Sequence, residues 1–389
     1  MSWKVNCVMD ERLKFVAAVL DEEASMAVLC RKFGISRKTG YKWLARYECE
    51  GPPGLLDRSR APHHSPHKVD EAMRKEIVAY KKNRLLEGPK KVRVGLQRLH
   101  PEVNWPAAST IGAILDEENL VKRRRQHPKA SPSTTPLAHS TAANTVWCAD
   151  FKGWFLTQDR RRCTPLTMQD AFSRFLLCCR GMGGRTGADE VRPYFEWAFR
   201  EFGLPDRLRT DNGPPFASVG LGGLTALSIW WMRLGIVLER IEPGHPEQNG
   251  RLERFHRTLK EATAMPPARN LREQQRAFNT FTHYYNHERP HEALGQQPPS
   301  SAFEPSLRPF PERLPNLPEY PGDWQVRRVK SGGWIKWQGL RPYVSEALQG
   351  QFVALEPVGE GAWTLYFIHT PLAQWDEGKG KFRRLGKKP

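Results

Sequence analysis

The sequence predicts a multidomain protein with all-α units at the N-terminus, a central α/β domain and a small C-terminal all-β barrel. Apolar residues recur at helical spacing in the first third of the chain. Apolar, β-rich segments then alternate with helical ones, which is typical of α/β domains. After a Pro-rich stretch, short strands separated by Gly turns favour a barrel. The predicted folded parts are 1–60, 68–126, 145–305 and 320–380, with a linker at 127–144.

Composition indicates a polyanionic partner. The 389 residues include 60 Lys and Arg against 42 Asp and Glu, for a net charge of +18 and a pI near 9.8. Nucleic acid is the first candidate, although a basic protein without such a partner remains an alternative. The sequence contains no apolar run of membrane-spanning length and its start does not resemble a signal peptide. We therefore expect a cytoplasmic protein that has no membrane partner.

The segment 25–47, SMAVLCRKFGISRKTGYKWLARY, predicts a helix-turn-helix unit. The turn contains Gly34, and Ser36 can cap the second helix. Basic side chains near the start of such a helix can reach base edges and phosphates in a major groove. The alternative is an ordinary helical hairpin. The candidate DNA contacts here are Arg37, Lys38 and Lys42.

A second helical unit follows a Pro- and His-rich linker. Its candidate helices are 72–80, 92–99 and 109–115, and the run NLVKRRR at 119–125 resembles the start of a wing. Arg123 and Arg124 of this run can contact DNA phosphates. A solvated charge run is the alternative interpretation.

Two aspartates are associated with predicted strands of the α/β domain. Asp150 lies within the apolar segment VWCADFKGWF, and Asp211 ends the short strand DRLRTD. Ligands of α/β sheets gather at the carboxyl ends of strands, and a further Glu on a helix would complete an oxygen-only site suited to Mg²⁺. Each acid taken alone could equally be a capping or solvent-exposed residue.

The motifs ADFKGWF, RTDNGPPF and HPEQNGRLERFHRTLK resemble the three acidic motifs of the DDE transposase and retroviral integrase core. The segment 278–305 resembles the region that follows this core in insertion-sequence transposases, so the resemblance covers about 145–305. It extends to the N-terminal helix-turn-helix region. The resemblance implies an RNase H-like fold and a catalytic, metal-binding triad of Asp150, Asp211 and Glu253.

Glu247 and Glu253 compete for the third position. Glu247 has 35 residues between it and Asp211, the separation usual in the family, whereas Glu253 has 41. However, the family's P-x-x-x-G-x-x-E pattern ends at Glu253, and the Gly-rich stretch 219–227 accounts for the excess as an insertion. Glu253 is also predicted to lie inside a helix, which holds a metal ligand more rigidly than a loop.

Other side chains near the third motif have predicted roles. His256 is included with the phosphate contacts, and it is a weak candidate for a catalytic base. Asp170 is interpreted as a structural acid. The helix that carries Glu253 also offers four basic side chains to DNA phosphates: Arg251, Arg254, Arg257 and Lys260.

The resemblance implies a prokaryotic insertion-sequence transposase. It would bind the terminal inverted repeats, cut a strand at each end and join the freed 3′-hydroxyl to target DNA. Two Mg²⁺ ions, or Mn²⁺ in their place, would support this chemistry. The expected partners are double-stranded DNA, at element ends and at the target, and further copies of the chain in a homodimer or larger assembly at the nucleoid. A nuclease without strand transfer and an inactive DNA-binding regulator are the alternatives.

Overall fold

A computed structural model describes residues 7–58, 69–121, 140–241, 248, 250–359 and 361–385. The chain divides into two compact units, Met1–Val69 and Asp70–Pro389. In the described part of the chain, no helix combines the length and apolar character that a membrane span requires.

The first unit consists of three helices and a short 3₁₀ turn. Helix α1 spans Val8–Leu20, α2 spans Met26–Lys32, α3 spans Arg37–Glu50, and the 3₁₀ turn spans Pro52–Leu55. The predicted turn before α3 is confirmed, because Gly34 has a φ of +66° and the Ser36 hydroxyl accepts a hydrogen bond from the Thr39 N–H. The buried side chains that hold the helices together include Phe15, Leu29, Trp43 and Leu55.

The second unit begins with three helices. Helix α4 spans Glu71–Asn83, α5 spans Pro89–Leu99 and α6 spans Ala108–Glu117, which confirms the three predicted helices and lengthens each. Most of the predicted wing at 119–125 lies outside the described residues. Ion pairs join these helices to the region that follows the core, with Arg84 2.6 Å from Glu288 and Lys90 3.2 Å from Glu292.

A six-stranded mixed sheet forms the centre of the second unit. Its strands are β1 (Val146–Phe151), β2 (Phe155–Leu156), β3 (Arg162–Asp170), β4 (Leu176–Met182), β5 (Arg207–Thr210) and β6 (Val237–Arg240). The order is β2-β3-β1-β5-β6, with β4 also paired to β3. Strands β1, β5 and β6 are parallel, whereas β3 runs antiparallel to β1.

Four helices cover this sheet. They are α7 (Ala188–Phe202), α8 (Ala226–Arg233), α9 (Gly250–Thr263) and α10 (Leu271–His287). Trp147 and Ala149 of β1 pack in one apolar cluster with Phe199 of α7 and Trp231 of α8. The predicted α/β character of the central domain is therefore confirmed.

A second apolar cluster lies between the sheet and the helices α9 and α10. Leu252 and Phe255 of α9 pack there with Phe278 and Tyr285 of α10. Cys148 of β1 packs against this cluster, whereas its neighbours in β1 belong to the α7 and α8 cluster. Successive side chains of a strand point to opposite faces, so the even-numbered residues of β1 face α9.

The C-terminal part is a five-stranded antiparallel sheet. It contains β7 (Gln325–Arg328), β8 (Phe352–Gly359), β9 (Ala362–Phe367), β10 (Thr370–Asp376) and β11 (Lys381–Arg384). The order β11-β10-β9-β8-β7 leaves the first and last strands at opposite edges. The all-β prediction is confirmed, while closure of the sheet into a barrel stays a prediction.

The Gly-rich insertion at 219–227 packs against the C-terminal sheet. Leu221 and Leu224 lie in the same apolar cluster as Leu372 of β10. Gly222 has a φ of +62°, and a Cβ there would lie 2.6 Å from the Leu372 side chain. Only a glycine therefore lets the loop approach the sheet this closely without strain.

Two arginines hold the insertion in place, one at its middle and one at its first residue. The Arg240 guanidinium donates to the carbonyl oxygens of Gly222 and Gly223, at 3.0 and 2.8 Å. Arg384 of β11 donates to the carbonyl oxygen of Val219. The insertion thus connects the six-stranded central sheet, through Arg240 of β6, to the C-terminal sheet.

Candidate active site

Asp150 and Asp211 lie level with each other on neighbouring parallel strands. The register of β1 and β5 pairs Cys148 with Arg209. Continued by two residues, this register sets Asp150 beside Asp211, which follows β5 directly. Adjacent strand backbones are about 5 Å apart, so the two carboxylates are close neighbours.

The side chain of Asp150 faces α9, because Cys148, two residues before it, packs against the α9 and α10 cluster. Glu253 lies in the first turn of α9 and is exposed. Burial raises the pKa of Asp150 to about 7, and the charge of Asp211, followed by that of Glu253, contributes to the rise. The fold thus brings the three predicted acids within electrostatic reach of one another.

Asp211 is held in a half-buried turn. Burial raises the pKa of its carboxyl, and a hydrogen bond with the Gly213 backbone opposes this rise. The following residue, Asn212, donates from its side chain to the Ile241 carbonyl oxygen at 2.7 Å, which fixes the turn to the end of β6. The Asp211 Oδ1 atom is buried without a hydrogen-bond partner in the described structure. A buried oxygen of this kind is costly unless a ligand satisfies it.

The metal-binding capacity of the site is carried by the aspartate pair. Across the described residues, no group of three or more His, Cys, Asp or Glu side chains is arranged so that it could hold a metal ion. Asp150 and Asp211 still offer hard carboxylate oxygens, one of them unpartnered, and such oxygens are preferred ligands of Mg²⁺. The pair therefore fits a divalent cation, and the exposed Glu253 side chain would have to approach it to complete a three-acid site.

His256 is buried, which corrects the expectation that it contacts phosphate. Its Nε2 atom lies 2.8 Å from the Thr167 hydroxyl, and that hydroxyl donates to the Asp150 carbonyl oxygen at 3.1 Å. Burial and the nearby charge of Lys152 lower the pKa of His256 to about 3, so the ring is neutral. His256 and Thr167 thus fasten α9, and with it Glu253, to the strand that carries Asp150.

Asp170 is a structural acid, as the sequence indicated. It is fully buried and accepts hydrogen bonds from the Asn144 N–H at 2.8 Å, the Ser173 N–H at 2.7 Å and the Ser173 hydroxyl at 2.6 Å. It pairs with Trp147, at the other end of β1 from Asp150. These bonds fix the turn between β3 and β4.

The predicted DNA contacts on the helices are exposed. Arg37, Lys38 and Lys42 lie on the surface of α3, and Arg251, Arg254, Arg257 and Lys260 on that of α9. Residues four apart share a face of a helix, so Arg257 and Lys260 follow Glu253 along one side of α9. Arg251 and Arg254 line a separate cavity together with Arg174 and Arg289, which the sequence analysis did not select.

Three of the predicted residues lie outside the described part of the chain: Arg123, Arg124 and Glu247. The choice of Glu253 over Glu247 therefore stays a prediction. Thr167 also escaped the sequence analysis, because a single Thr in an apolar strand carries no signal of its partners.

Four family descriptions match this chain. Two "Integrase core domain" families match residues 140–246 and 234–299. The "leucine-zipper of insertion element IS481" matches residues 7–82, and the "IS481 family transposase, C-terminal domain" matches residues 324–382. The matches thus include the helical, central and C-terminal parts of the fold.

Two bacterial proteins are similar in sequence. The uncharacterized 39.2 kDa protein of insertion element IS476 from Xanthomonas euvesicatoria is 32% identical over 222 residues, covering 54% of this chain and 60% of that protein. The uncharacterized 31.7 kDa protein of insertion element IS407 from Burkholderia multivorans (strain ATCC 17616 / 249) is 30% identical over 260 residues, covering 63% of this chain and 87% of that protein. The chain thus spans less than two thirds of the first relative and most of the second.

Solved structures give weaker likenesses. The HTLV-2 integrase catalytic core domain in complex with magnesium has a TM-score of 0.34 at 15% identity, over 43% of this chain and 100% of that one. A simian T-cell lymphotropic virus intasome in complex with PP2A regulatory subunit B56 gamma has a TM-score of 0.37 at 17% identity, over 76% and 97%. The sequence matches therefore decide the assignment. The chain belongs to the insertion-element transposases: its two ends match domains described for IS481 elements, and its central part matches the integrase core domain, which is of the DDE polynucleotidyl transferase type.

Proposed function

We propose that this chain binds the terminal inverted repeats of an insertion sequence and catalyses DNA strand cleavage and strand transfer. Membership of the transposase family implies DNA transposition, and the individual steps are our proposal. The observation that supports it best is the position of Asp150 level with Asp211, with Glu253 close enough to raise the pKa of Asp150.

Asp150, Asp211 and Glu253 would hold the divalent metal, as two Mg²⁺ ions that Mn²⁺ can replace. When bound, such ions activate a nucleophile and stabilise the leaving oxygen of a phosphoryl transfer. The strands β1 and β5 hold the two aspartates rigidly. The Thr167 hydroxyl and His256 keep α9 against β1, so the approach of Glu253 is a local movement of its side chain.

The reaction would proceed in two displacements at phosphorus. In the first, water attacks the phosphorus at an element end, the P–O3′ bond breaks, and a 3′-hydroxyl is freed. In the second, this hydroxyl attacks a phosphodiester of target DNA, and the target strand leaves with its own 3′-hydroxyl. Each step exchanges one P–O bond for another, so neither ATP nor a covalent enzyme intermediate is required.

DNA would lie along the exposed side of α9. Arg257 and Lys260 continue the helix face that starts at Glu253, so a strand over the acids meets these cations within two helical turns. Arg251 and Arg254 flank the same acid. Phosphate contacts of this kind fix the register of the DNA and carry no sequence information.

End recognition would belong to the N-terminal helices. Arg37 and Lys38 lie in the first turn of α3, directly after the capping residue Ser36, and Lys42 lies about one turn later. This is the part of a recognition helix that reaches base edges in a major groove. Arg123 and Arg124 would add phosphate contacts next to the second helical unit.

Transposition requires two element ends to be handled together. We therefore infer a homodimer or larger assembly on double-stranded DNA, at the nucleoid of a prokaryotic cell. The C-terminal sheet, closed as a small barrel, would be a module that contacts DNA or another subunit.

The test is Mg²⁺-dependent cleavage and joining of a duplex that carries the DNA bordering the gene of this chain. The wild-type chain, Glu253→Gln and the matched control Glu247→Gln are compared. We expect cleavage and strand transfer by the wild type and the control, and neither reaction by Glu253→Gln, which should still bind the ends.

Two results would contradict the proposal. Loss of activity in Glu247→Gln alone would overturn the choice of the third acid. A wild-type chain that binds the ends but cuts nothing in Mg²⁺ or Mn²⁺ would identify a DNA-binding protein without transposase activity.

A further inference from the structure

A basic cavity lies on the side of α9 away from Glu253. It has a volume of about 540 Å³ and is bounded by α5, α9 and the segment after α10. Tyr285 and Phe255 form part of its wall. The cations that line it come from four separate segments of the chain: Lys91, Arg174, Arg251, Arg254 and Arg289.

Within the described residues, the acids near this cavity only partly offset its cations. Burial and the charge of Arg289 lower the pKa of Lys91 to about 8, although the charges of Glu87 and Glu292 oppose the change. Burial and the charge of Arg251 likewise lower the pKa of Arg174. Glu292 also lines the cavity, but its carboxylate lies 3.2 Å from Lys90. Close cations of this kind repel one another until an anion enters between them.

Two buried nitrogen atoms in the cavity lack hydrogen-bond partners within the described structure. Arg289 is only 8% exposed, and its Nη1 atom is unpartnered. The Nε2 atom of His291 is buried and unpartnered as well. By contrast, the Tyr285 hydroxyl in the same wall accepts a hydrogen bond from Gln169 at 3.1 Å. A guanidinium nitrogen is always a donor, and a buried donor without an acceptor costs free energy that a ligand rich in acceptor oxygens removes.

We propose that this cavity binds a phosphate group of the DNA on which the chain acts, with Arg289 as its central ligand. This inference rests on the proposed function. A phosphate offers several acceptor oxygens at once, and the planar fork of an arginine matches two of them. Cavities of this size accept whole small ligands, so the phosphate can enter together with its sugar.

The position of the cavity links it to the acids. Arg251 and Arg254 line it, and Glu253 lies between them in the sequence, on the first turn of α9. A phosphate in the cavity and a scissile phosphate at the acids would therefore lie on two sides of one helical turn. A phosphate inside a strand and a phosphate at a 5′ end present the same kind of oxygen atoms to the cavity. Binding in the cavity would fix how far the strand is inserted.

The experiment measures DNA affinity without cleavage. The full chain carrying Glu253→Gln binds a fluorescent element-end duplex at several KCl concentrations, without Mg²⁺. Arg289→Gln and Lys91→Gln are each added to this background. The control is Arg200→Gln, an exposed arginine of α7 that pairs with Glu196 at 2.6 Å.

We expect each cavity variant to lose about tenfold in affinity, and the slope of log affinity against log salt to fall by about one. The control should change neither quantity. Thermal melting checks that each variant folds. If Arg289→Gln does not fold, because Arg289 is the more buried residue, the Lys91→Gln variant carries the test. Folded variants with wild-type affinity and slope would overturn the proposal.

Duplexes with a 5′-phosphate and with a 5′-hydroxyl identify the source of the phosphate. An effect confined to the phosphorylated duplex assigns the cavity to the strand terminus, and an equal effect on both assigns it to the backbone. Because no cleavage is measured, failure of the cavity proposal is distinguishable from failure of the proposed catalytic function.

Discussion

Asp170 and Asp211 are acids at the ends of strands in the same sheet, and the fold treats them in opposite ways. Asp170 accepts three hydrogen bonds from Asn144 and Ser173. Asp211 keeps one buried oxygen that has no partner among the described residues, and it lies level with a second carboxylate, that of Asp150. The difference separates an acid that stabilises a turn from a pair that is ready to bind a ligand.

The two acids differ in how far hydrogen bonds offset the free-energy cost of burying a carboxylate. Burial raises the pKa of both acids, but hydrogen bonds from Ser173 and Asn144 oppose the rise at Asp170, whereas only the Gly213 backbone opposes it at Asp211. A pair of close carboxylates disfavours the ionised state that metal binding requires. Under the proposed function, a bound cation would recover this cost, and the site would exchange stability for ligand binding.

The largest effect is expected on activity. Asp150→Asn removes one of the two adjacent carboxylates, and we expect the rate of strand cleavage in Mg²⁺ to fall by at least about a thousandfold. Asp159→Asn, in an exposed turn, is the control and should retain the wild-type rate. Comparable cleavage by wild type and Asp150→Asn would break the distinction between the pair and the structural acid.

Asp170→Asn should have a large effect on stability. The new amide would turn an N–H group toward N–H and O–H donors, and the charge that strengthens the three hydrogen bonds would be lost. We expect the free energy of unfolding in urea to fall by about 2–3 kcal/mol. An unchanged urea midpoint would show that the three bonds contribute nothing net.

Asp150→Asn should stabilise the metal-free protein at high pH. The pKa of Asp150 is raised from 3.8 to about 7 by folding, so the native state binds the proton more tightly and loses stability as pH rises through that window. In chelator at pH 8, we expect the free energy of unfolding of the variant to exceed that of the wild type by about 1–3 kcal/mol. The difference should vanish below pH 4, and a pH-independent difference would argue against this origin.

Thr167→Val should have the smallest effect. Valine keeps the volume but removes the hydroxyl between the Asp150 carbonyl and His256. We expect the free energy of unfolding to fall by about 1 kcal/mol and the cleavage rate to fall by less than about tenfold. The effect on the rate is small because the change loosens the attachment of α9 to β1 but leaves Glu253 in place. A matched Thr282→Val change, whose hydroxyl donates to the Phe278 carbonyl oxygen within α10, should leave the rate unchanged. A loss as severe as that of Asp150→Asn would show that Thr167 acts in the chemistry itself.

Local patterns were sufficient to predict the architecture. The Gly34 turn and the Ser36 cap follow from nearest-neighbour chemistry, and the amphipathic helices follow from the spacing of apolar residues. Asp150 stood out because an acid inside an apolar strand is unusual. The extent of the helices and the strand order of the C-terminal sheet depend on tertiary packing, which the sequence does not express locally.

The contacts between distant segments could not be predicted. The direction in which His256 points depends on how α9 packs on the sheet. Because its neighbours on α9 are charged, the sequence analysis placed His256 on the exposed face of the helix, whereas it is buried. The basic cavity combines Lys91, Arg174 and Arg289 from three regions of the chain. In a chain with 60 Lys and Arg residues, nothing local separates these three from the rest.

The insertion at 219–227 constrains how this protein can be shortened. Leu221 and Leu224 of the insertion pack against the C-terminal sheet, and Arg384 of the last strand donates to the carbonyl oxygen of Val219. Removing the sheet alone would expose an apolar loop that lies between the second and third acids. The insertion and the C-terminal sheet therefore depend on each other for burial of their apolar side chains. We expect related chains to keep both or to lack both, and a trimmed protein to remain monodisperse only when the loop is shortened along with the tail.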